Sequence, residues 1–214
     1  LVINPKILYF TNMKIITNTD LRLKNMQDRK LIEYSFKHTD LRRALLSGSE
    51  LENCEFNNTR LDSTAIQNAR LDNCIFQEAH LTGIDASNTS FNDCRIIKTN
   101  AAGSTFDKVI LKNTHIESFY GPRISFKRAQ LENCSFKIAN LFAIDLSDTV
   151  LINSCFHSVD LRFANFKGAE LINVSFCDIL TTGLSASSNT SLKDCGGIEF
   201  ENLASGGRDC WHFA

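Results

Sequence analysis

The chain has 214 residues, enough for one domain with a sizeable core. Its 23 basic and 24 acidic residues give a formal net charge of −1, so no strong field attracts nucleic acid or anionic lipid. No apolar run approaches the roughly 20 residues that span a bilayer. We therefore expect no direct nucleic-acid partner and no membrane partner.

Residues 1–15 are predicted to form an N-terminal cap. They contain the apolar run Ile7, Leu8, Tyr9 and Phe10, which can cover the end of the repetitive region that follows. A cap is needed because the end of a repeat protein exposes unpaired strand edges and a hydrophobic cross-section.

Residues 16–180 repeat with a period of five. Of the 33 positions taken every fifth residue from Ile16 to Phe176, only Gly121 lacks an apolar side chain. A second series, two residues earlier, consists mostly of Ala, Ser, Thr and Cys. Neither an α-helix nor a flat strand has this period. The pattern indicates a coil in which every five residues contribute one large and one small inward side chain.

A period of twenty overlies the period of five. The phrase LENCEF at 51–56 returns as LDNCIF at 71–76 and as LENCSF at 131–136. Four sides of five residues close one coil, so these phrases are predicted to occupy the same corner and side on successive coils. Their Phe rings, separated by the strand spacing of about 4.8 Å, are expected to stack.

One column is rich in asparagine and lies two residues after a large position. Asn and Asp tolerate turn conformations and bond to nearby backbone, so we expect corners and a ladder of stacked amides rather than a binding row. The column is Asn53, Asn73, Asp93, Asn113, Asn133, Asn153 and Asn173.

Cys54, Cys74, Cys94 and Cys134 all occupy the small inward position. Ala, Ser and Thr replace Cys at equivalent places, so the thiol is predicted to act as a small apolar filler. Parallel Cβ vectors on stacked coils fit disulfide geometry poorly. Reduced thiols indicate a reducing compartment, and we expect the protein to be cytoplasmic.

The segment ESFYGPRISF at 117–126 breaks the pattern, because Gly121 takes a large position and Phe119 a small one. One interpretation is that Phe119 fills the volume that Gly121 leaves. The other is a recognition site, since an aromatic residue, a Pro and an Arg there should face solvent. The candidate partner-binding residues are Phe119, Tyr120, Pro122, Arg123 and Phe142.

His157 and Cys177 each follow a Phe and are predicted to face outward as neighbours on adjacent coils. The pair could bind a metal or act in catalysis. No third ligand is evident in the same column, so neither a metal site nor a catalytic site is predicted.

Residues 181–214 lose the period and are predicted to form a C-terminal cap or a junction to a following domain. The segment CWHF at 210–213 faintly resembles the nucleophile segment of papain-like proteases, but no His and acidic partner follow it. We expect no enzyme unless the chain continues beyond Ala214.

The pentapeptides ANLFA (139–143), ANFKG (164–168) and AELIN (169–173) closely resemble those of pentapeptide-repeat proteins. The resemblance covers residues 16–180. It implies an all-β fold, a right-handed quadrilateral β-helix of about eight coils with four turns per coil. It also implies that the C-terminal end caps the coil or forms a homodimer contact. The repeat itself says little about function.

Three functions follow from these observations. The first is a non-enzymatic protein–protein interaction scaffold without a cofactor, because a coil filled by side chains offers no concave pocket. The second is implied by a resemblance to the quinolone-resistance proteins in fold signature and length: it is to mimic DNA and bind a type II topoisomerase such as DNA gyrase, although the mixed surface charge counts against it. The third is the β-helix of a secreted bacterial effector, with a cysteine-hydrolase domain following Cys210 in a host cytosol.

Overall fold

The structure is a computed structural model that describes residues 13–187 and 190–193. The greater part of the predicted N-terminal cap, most of the predicted C-terminal cap and Cys210 lie outside these ranges. Across the described residues, no helix has the length and apolar character needed to cross a bilayer.

The described chain consists of short strands joined by tight turns. The first nine strands are β1 (Lys14–Thr17), β2 (Lys30–Ile32), β3 (Tyr34–Lys37), β4 (Glu50–Glu52), β5 (Glu55–Asn57), β6 (Arg70–Asp72), β7 (Ile75–Gln77), β8 (Ser90–Asn92) and β9 (Arg95–Ile97). The next nine are β10 (Ile110–Lys112), β11 (His115–Tyr120), β12 (Gln130–Glu132), β13 (Ser135–Asn140), β14 (Val150–Ile152), β15 (Cys155–Asp160), β16 (Glu170–Ile172), β17 (Ser175–Cys177) and β18 (Ser191–Lys193).

The strands form two parallel sheets, one on each of two sides of the coil. The odd-numbered strands make one nine-stranded sheet in chain order, and the even-numbered strands make the other. Paired residues are twenty apart, as Phe56 and Phe76 are. Single-residue bridges such as Arg60 with His80 complete the remaining sides. The chain is therefore a four-sided parallel β-solenoid of about eight turns, as the two periods predict.

Large inward side chains fill the lumen, and phenylalanines at equivalent positions stack. The ring centroids of Phe56 and Phe76 are 4.6 Å apart with an interplanar angle of 6°, and those of Phe136 and Phe156 are 4.7 Å apart at 3°. These separations match the spacing between neighbouring strands. The predicted stacking is confirmed.

The small inward residues bond to the coil before them. The hydroxyl of Thr64 donates a hydrogen bond of 2.8 Å to the carbonyl oxygen of Leu41. The thiol of Cys74 makes the equivalent contact of 3.5 Å with the carbonyl oxygen of Leu51. Because the hydroxyl and thiol groups in this column find carbonyl partners, Thr, Ser and Cys can replace Ala there without a large desolvation penalty.

The six cysteines within the described ranges are free thiols. Burial raises the pKa of the Cys134 thiol to about 12 and raises the pKa of Cys74 well above its ordinary value. A thiol that stays protonated is a poor nucleophile and a poor metal ligand. These buried cysteines therefore act as the predicted filler, namely Cys54, Cys74, Cys94 and Cys134.

Each corner of the coil takes a residue in the left-handed backbone region. In the asparagine column, Asn53 has φ 54° and Asn113 has φ 51°. The Nδ2 of Asn113 donates to Oδ1 of Asp93, and the Nδ2 of Asn133 donates to Oδ1 of Asn113, both at 3.1 Å. The predicted combination of corner and ladder is confirmed, and it explains how a chain with ten glycines makes so many corners.

The irregular segment keeps the coil spacing but exchanges its two inward positions. Phe119 is only 4% exposed, and a Cβ added to Gly121 would lie 2.4 Å from the Cε1 atom of Phe119. The ring of Phe119 therefore fills the volume that Gly121 leaves. This corrects the inclusion of Phe119 among the candidate contact residues, because its side chain is in the core and supports the surface from below.

The coil extends beyond both ends of the predicted repeat region. Strand β1 begins at Lys14, inside the predicted cap. Past residue 180, Asn165 forms a bridge with Ser185, and β18 pairs with β16 through Leu171 and Leu192. That last pairing joins residues 21 apart, because one extra residue enters this turn. A search of the sequence for a fixed period of twenty residues therefore misses this pairing.

Candidate protein-interaction surface

One side of the coil carries several exposed apolar residues on its C-terminal half. Its outward residues include those at multiples of twenty, which are Asp20, Asp40, Arg60, His80, Asn100, Tyr120, Asn140, Asp160 and Leu180. The side is bounded by two columns of corner residues, represented by Ser118 and Arg123 in one coil. On its C-terminal half lies a group that we call the apolar face, made of Tyr120, Ile138, Phe142, Phe163 and Leu180.

The apolar face is well exposed. Tyr120, Ile138, Phe163 and Leu180 have exposed fractions of 50%, 60%, 55% and 54%, and Phe142 is half-buried. Half of the exposed large apolar side chains found among the described residues lie here. A shallow, open depression of about 580 Å³ runs between Tyr120, Ile138 and Leu180. Single exposed apolar residues are ordinary, whereas a contiguous set marks a binding surface.

The aromatic part of the face is held by a small network. The rings of Phe142 and Phe163 meet edge to face, with centroids 5.2 Å apart. The guanidinium of Arg162 lies 5.8 Å from the Phe142 centroid and pairs with Asp160 at 2.7 Å. Gly183 lies beneath Phe163, because a Cβ there would be 2.6 Å from the ring. The rings are therefore fixed before any partner arrives, which lowers the entropy cost of binding.

Two members of the face occupy strained corner positions. Ile138 has φ 52° and Phe163 has φ 61°. The left-handed region costs an L-residue about 1–2 kcal/mol, and a β-branched side chain is rarely found there. These residues thus add exposed apolar surface to the left-handed backbone that every corner of the coil shares.

Most of the candidate residues from the sequence lie together on this side. Tyr120 and Arg123 are exposed, and Pro122 and Phe142 are half-buried. No ion pair to Arg123 is formed by any residue that the structure describes, so its guanidinium is available at the edge of the face. Phe119 alone is buried.

Ile138, Phe163 and Leu180 are absent from the sequence predictions. The signal for Ile138 and Phe163 is an apolar side chain in a corner column that otherwise favours Asn, Asp, Ser, Gly or a charged residue. The signal for Leu180 is an apolar residue at an outward position.

Asp160, which pairs with Arg162, is a charged residue beside the apolar face. The hydrogen bond from the Arg162 side chain lowers the pKa of Asp160 below its ordinary value of 3.8. A carboxyl group whose pKa is lowered by folding stabilises the fold above its unfolded pKa. That stabilisation is lost as the pH falls from 3.8 through the folded pKa.

Replacing Asp160 by Asn therefore tests this pair. Asn keeps the acceptor for the backbone N–H of Arg162, since Asn140 plays the same part for Phe142 at 3.1 Å. We expect a loss of about 1 kcal/mol in the free energy of unfolding at pH 7, which becomes smaller as the pH falls below 3.8. Urea unfolding across this range measures both, and a loss that is independent of pH would contradict the assignment.

A second open depression, of about 740 Å³, lies near the N-terminal end of the same side. Its lining is charged, but two of its arginines already form ion pairs. Arg22 pairs with Asp20, and Arg42 with Asp40, both at 2.6 Å. The hydrogen bond from Arg22 lowers the pKa of Asp20 to about 2. Because these groups satisfy each other, we place the candidate site at the apolar face instead.

His157 and Cys177 are adjacent and exposed, paired in register across β15 and β17. Asp178, the next residue, joins them. One ligand atom from each of the three lies within 4.8 Å of the others. The sequence prediction of only two ligands is thus incomplete, because the third comes from the neighbouring corner rather than from the same column.

Comparisons with known proteins agree with the fold. The sequence profile of pentapeptide repeats matches in eight copies, over residues 39–77, 74–113 and 139–178. Two structures of QnrB1, a plasmid-mediated fluoroquinolone resistance protein, are similar. The trypsin-treated form has 18% identity and a TM-score of 0.55, with 82% of this chain and 91% of that chain covered. For the full-length form the values are 17%, 0.53, 82% and 94%.

A further solved structure is HetL, a pentapeptide-repeat protein involved in heterocyst differentiation regulation, from the cyanobacterium Nostoc sp. strain PCC 7120. Its identity is 20% and its TM-score is 0.38, with 85% of this chain and 84% of that chain covered. A search of curated protein sequences gives no match. At 17–18% identity, the similarity to the QnrB1 structures supports the fold alone.

Proposed function

Since the chain belongs to the pentapeptide-repeat family, we propose that it is a non-enzymatic scaffold that binds a protein partner through the apolar face. The observation that carries this proposal is that exposed or half-buried apolar side chains cluster on one side of neighbouring coils, namely Tyr120, Ile138, Phe142, Phe163 and Leu180.

The filled interior supports a role for the outside of the rod. Stacked side chains occupy the lumen, so substrate cannot enter it. Both large depressions described above are open to solvent and shallow in outline, unlike the enclosed pockets that bury small ligands.

The chemistry of the face indicates what kind of partner fits. Protein interfaces combine an apolar, aromatic centre with a polar rim, and Tyr and Arg are enriched in them. Here Tyr120 and Phe142 supply the centre, and Arg123 supplies a cation without an ion-pair partner among the described residues. We expect a protein surface with an apolar core and a carboxylate placed opposite Arg123.

The test begins by finding the partner and ends with a measured affinity. A photo-crosslinking amino acid at Asn140, inside the depression, would capture the partner in cells, and the purified pair would then be titrated. Changing both Tyr120 and Phe142 to Ala should weaken binding at least about tenfold, as expected for central aromatic residues. Unchanged affinity would remove the apolar face from the proposal.

The variant Ile138→Asn separates binding from stability. Asn is favoured in the left-handed region, so the free energy of unfolding should rise by about 1 kcal/mol while affinity falls. Ile110→Asn is the matched control, because Ile110 is also exposed but lies in strand β10 on another side. It should leave affinity unchanged and bring no gain in stability.

A second copy of the chain is an alternative occupant, either at this face or at the C-terminal end. Mass photometry of the purified protein distinguishes this case. A dimer that dissociates in the Tyr120 and Phe142 double variant would identify self-association through the face.

Binding of a type II topoisomerase is the second candidate function. The observation in its favour is the fold similarity to QnrB1, a fluoroquinolone resistance protein, over 82% of this chain. Against it, the acidic groups are interspersed with basic ones and many form pairs, such as Arg128 with Asp148 and Lys112 with Glu132. A DNA mimic needs an uninterrupted acidic track. A gyrase supercoiling assay with a fluoroquinolone, in the presence and absence of the protein, decides between the two candidates.

A further inference from the structure

We propose that His157, Cys177 and Asp178 form a binding site for a divalent transition metal, with Zn²⁺ as the best fit. The site goes beyond the proposed scaffold function and does not depend on it. It lies at the C-terminal end of the described rod, on the corner that borders the apolar face.

The backbone brings these three residues together. His157 and Cys177 are directly paired on the neighbouring parallel strands β15 and β17, so the ladder fixes their separation. Successive residues of a strand normally point to opposite sides. Asp178 escapes this rule because it is the corner residue, with φ 52°. The left-handed turn therefore allows the thiol of Cys177 and the carboxylate of Asp178 to share one side with the imidazole.

The donor set suits zinc. A thiolate sulfur, an imidazole nitrogen and a carboxylate oxygen are its ordinary ligands, and three protein ligands leave a fourth position for water or for a group from another molecule. Tetrahedral coordination places such atoms about 3.3–3.7 Å apart. The ligand atoms lie within 4.8 Å of one another, so each separation needs to shorten by at most about 1.5 Å.

The three side chains can make this adjustment at low cost. All three are exposed, and no described residue forms a side-chain hydrogen bond or an ion pair with any of them. Lys137 precedes His157 in the same column. Its long, exposed side chain can turn its ammonium group into solvent when a cation binds.

Cys177 also departs from the use of cysteine in the rest of the described chain. The other cysteines of these ranges are buried or half-buried, and four of them serve as core filler. Packing of the core accounts for a cysteine inside the coil, but it does not account for an exposed cysteine beside His and Asp. Coordination of a metal gives that thiol a role.

The experiment uses the reduced full chain and Zn²⁺ in competition with a chromophoric chelator. One equivalent should bind, and Cys177→Ser, His157→Ala and Asp178→Asn should each weaken binding at least about tenfold. Co²⁺ should give a thiolate-to-metal charge-transfer band that is absent in Cys177→Ser. Zn²⁺ should also protect Cys177 from iodoacetamide, as mass spectrometry of that peptide would show.

Two controls make the outcome specific. Cys155→Ser changes a half-buried cysteine of the same strand as His157, and the double change of Cys210 to Ser and His212 to Ala removes a second Cys and His in the sequence. Both should leave Zn²⁺ affinity unchanged. Retained affinity in Cys177→Ser, or loss in the Cys210 and His212 variant, would overturn the proposal. The titration contains no protein partner, so either result leaves the scaffold proposal standing.

Discussion

Replacing Phe119 by Ala is expected to lower the free energy of unfolding by about 3–5 kcal/mol, measured by urea denaturation. Phe119 occupies an inward position that elsewhere takes a small residue, and its ring fills the volume above Gly121. Because Gly121 contributes no side chain, nothing nearby can close the cavity that the truncation leaves. The loss should therefore lie at the upper end of the range for core aromatic residues.

The companion change of Gly121 to Leu tests whether the two positions are exchanged. Alone, the leucine would collide with the Phe119 ring, since even a Cβ would be 2.4 Å from it, and we expect a loss of about 1–3 kcal/mol. Combined with Phe119→Ala, the same leucine restores the regular large and small order of the coil. The double variant should be more stable than Phe119→Ala, and additive losses would show that the positions are independent.

Replacing Phe156 by Ala is expected to cost a similar amount, about 3–5 kcal/mol. Its ring lies between Phe136 and Phe176, with centroids 4.7 Å and 5.1 Å away. Truncation opens a void between two coils and removes two aromatic contacts at once. The measurement is the midpoint and slope of chemical unfolding.

Two controls locate the effect in the stack. Phe156→Leu keeps most of the buried volume and should cost less than half as much. Phe163→Ala removes a ring that is 55% exposed and should change stability by no more than about 1 kcal/mol. Equal losses for Phe156→Ala and Phe163→Ala would contradict the packing described here.

The coil itself could be predicted because its large and small inward residues recur at a fixed spacing of five. Each coil buries one large and one small residue per side, and neither Phe56 nor Cys54 could move by one position without turning outward. The exchange of Phe119 and Gly121 was likewise open to prediction, because a large residue at a small position and a glycine at a large position have complementary volumes. What the sequence left undecided was whether Phe119 belonged to the core or to the surface.

The surface was harder to predict, because its candidate functional residues are single departures from the repeat and do not recur at a fixed spacing. Ile138 and Phe163 are exposed only because the corner geometry directs a residue outward, and a pattern of apolar residues suggests burial first. Asp178 belongs to a different column from His157, so a search within one column does not find it. The pairing of Leu171 with Leu192 escapes detection because a single inserted residue changes the spacing from 20 to 21.

The separation of inward and corner positions in every coil has an evolutionary consequence. Residues that hold the rod together and residues that partners can touch occupy different places in the repeat, so mutations can accumulate on one set without disturbing the other. Duplication or deletion of a twenty-residue unit would lengthen or shorten the molecule by one coil and leave the surviving columns aligned. New binding specificities can thus arise on a scaffold of this kind without redesign of its interior.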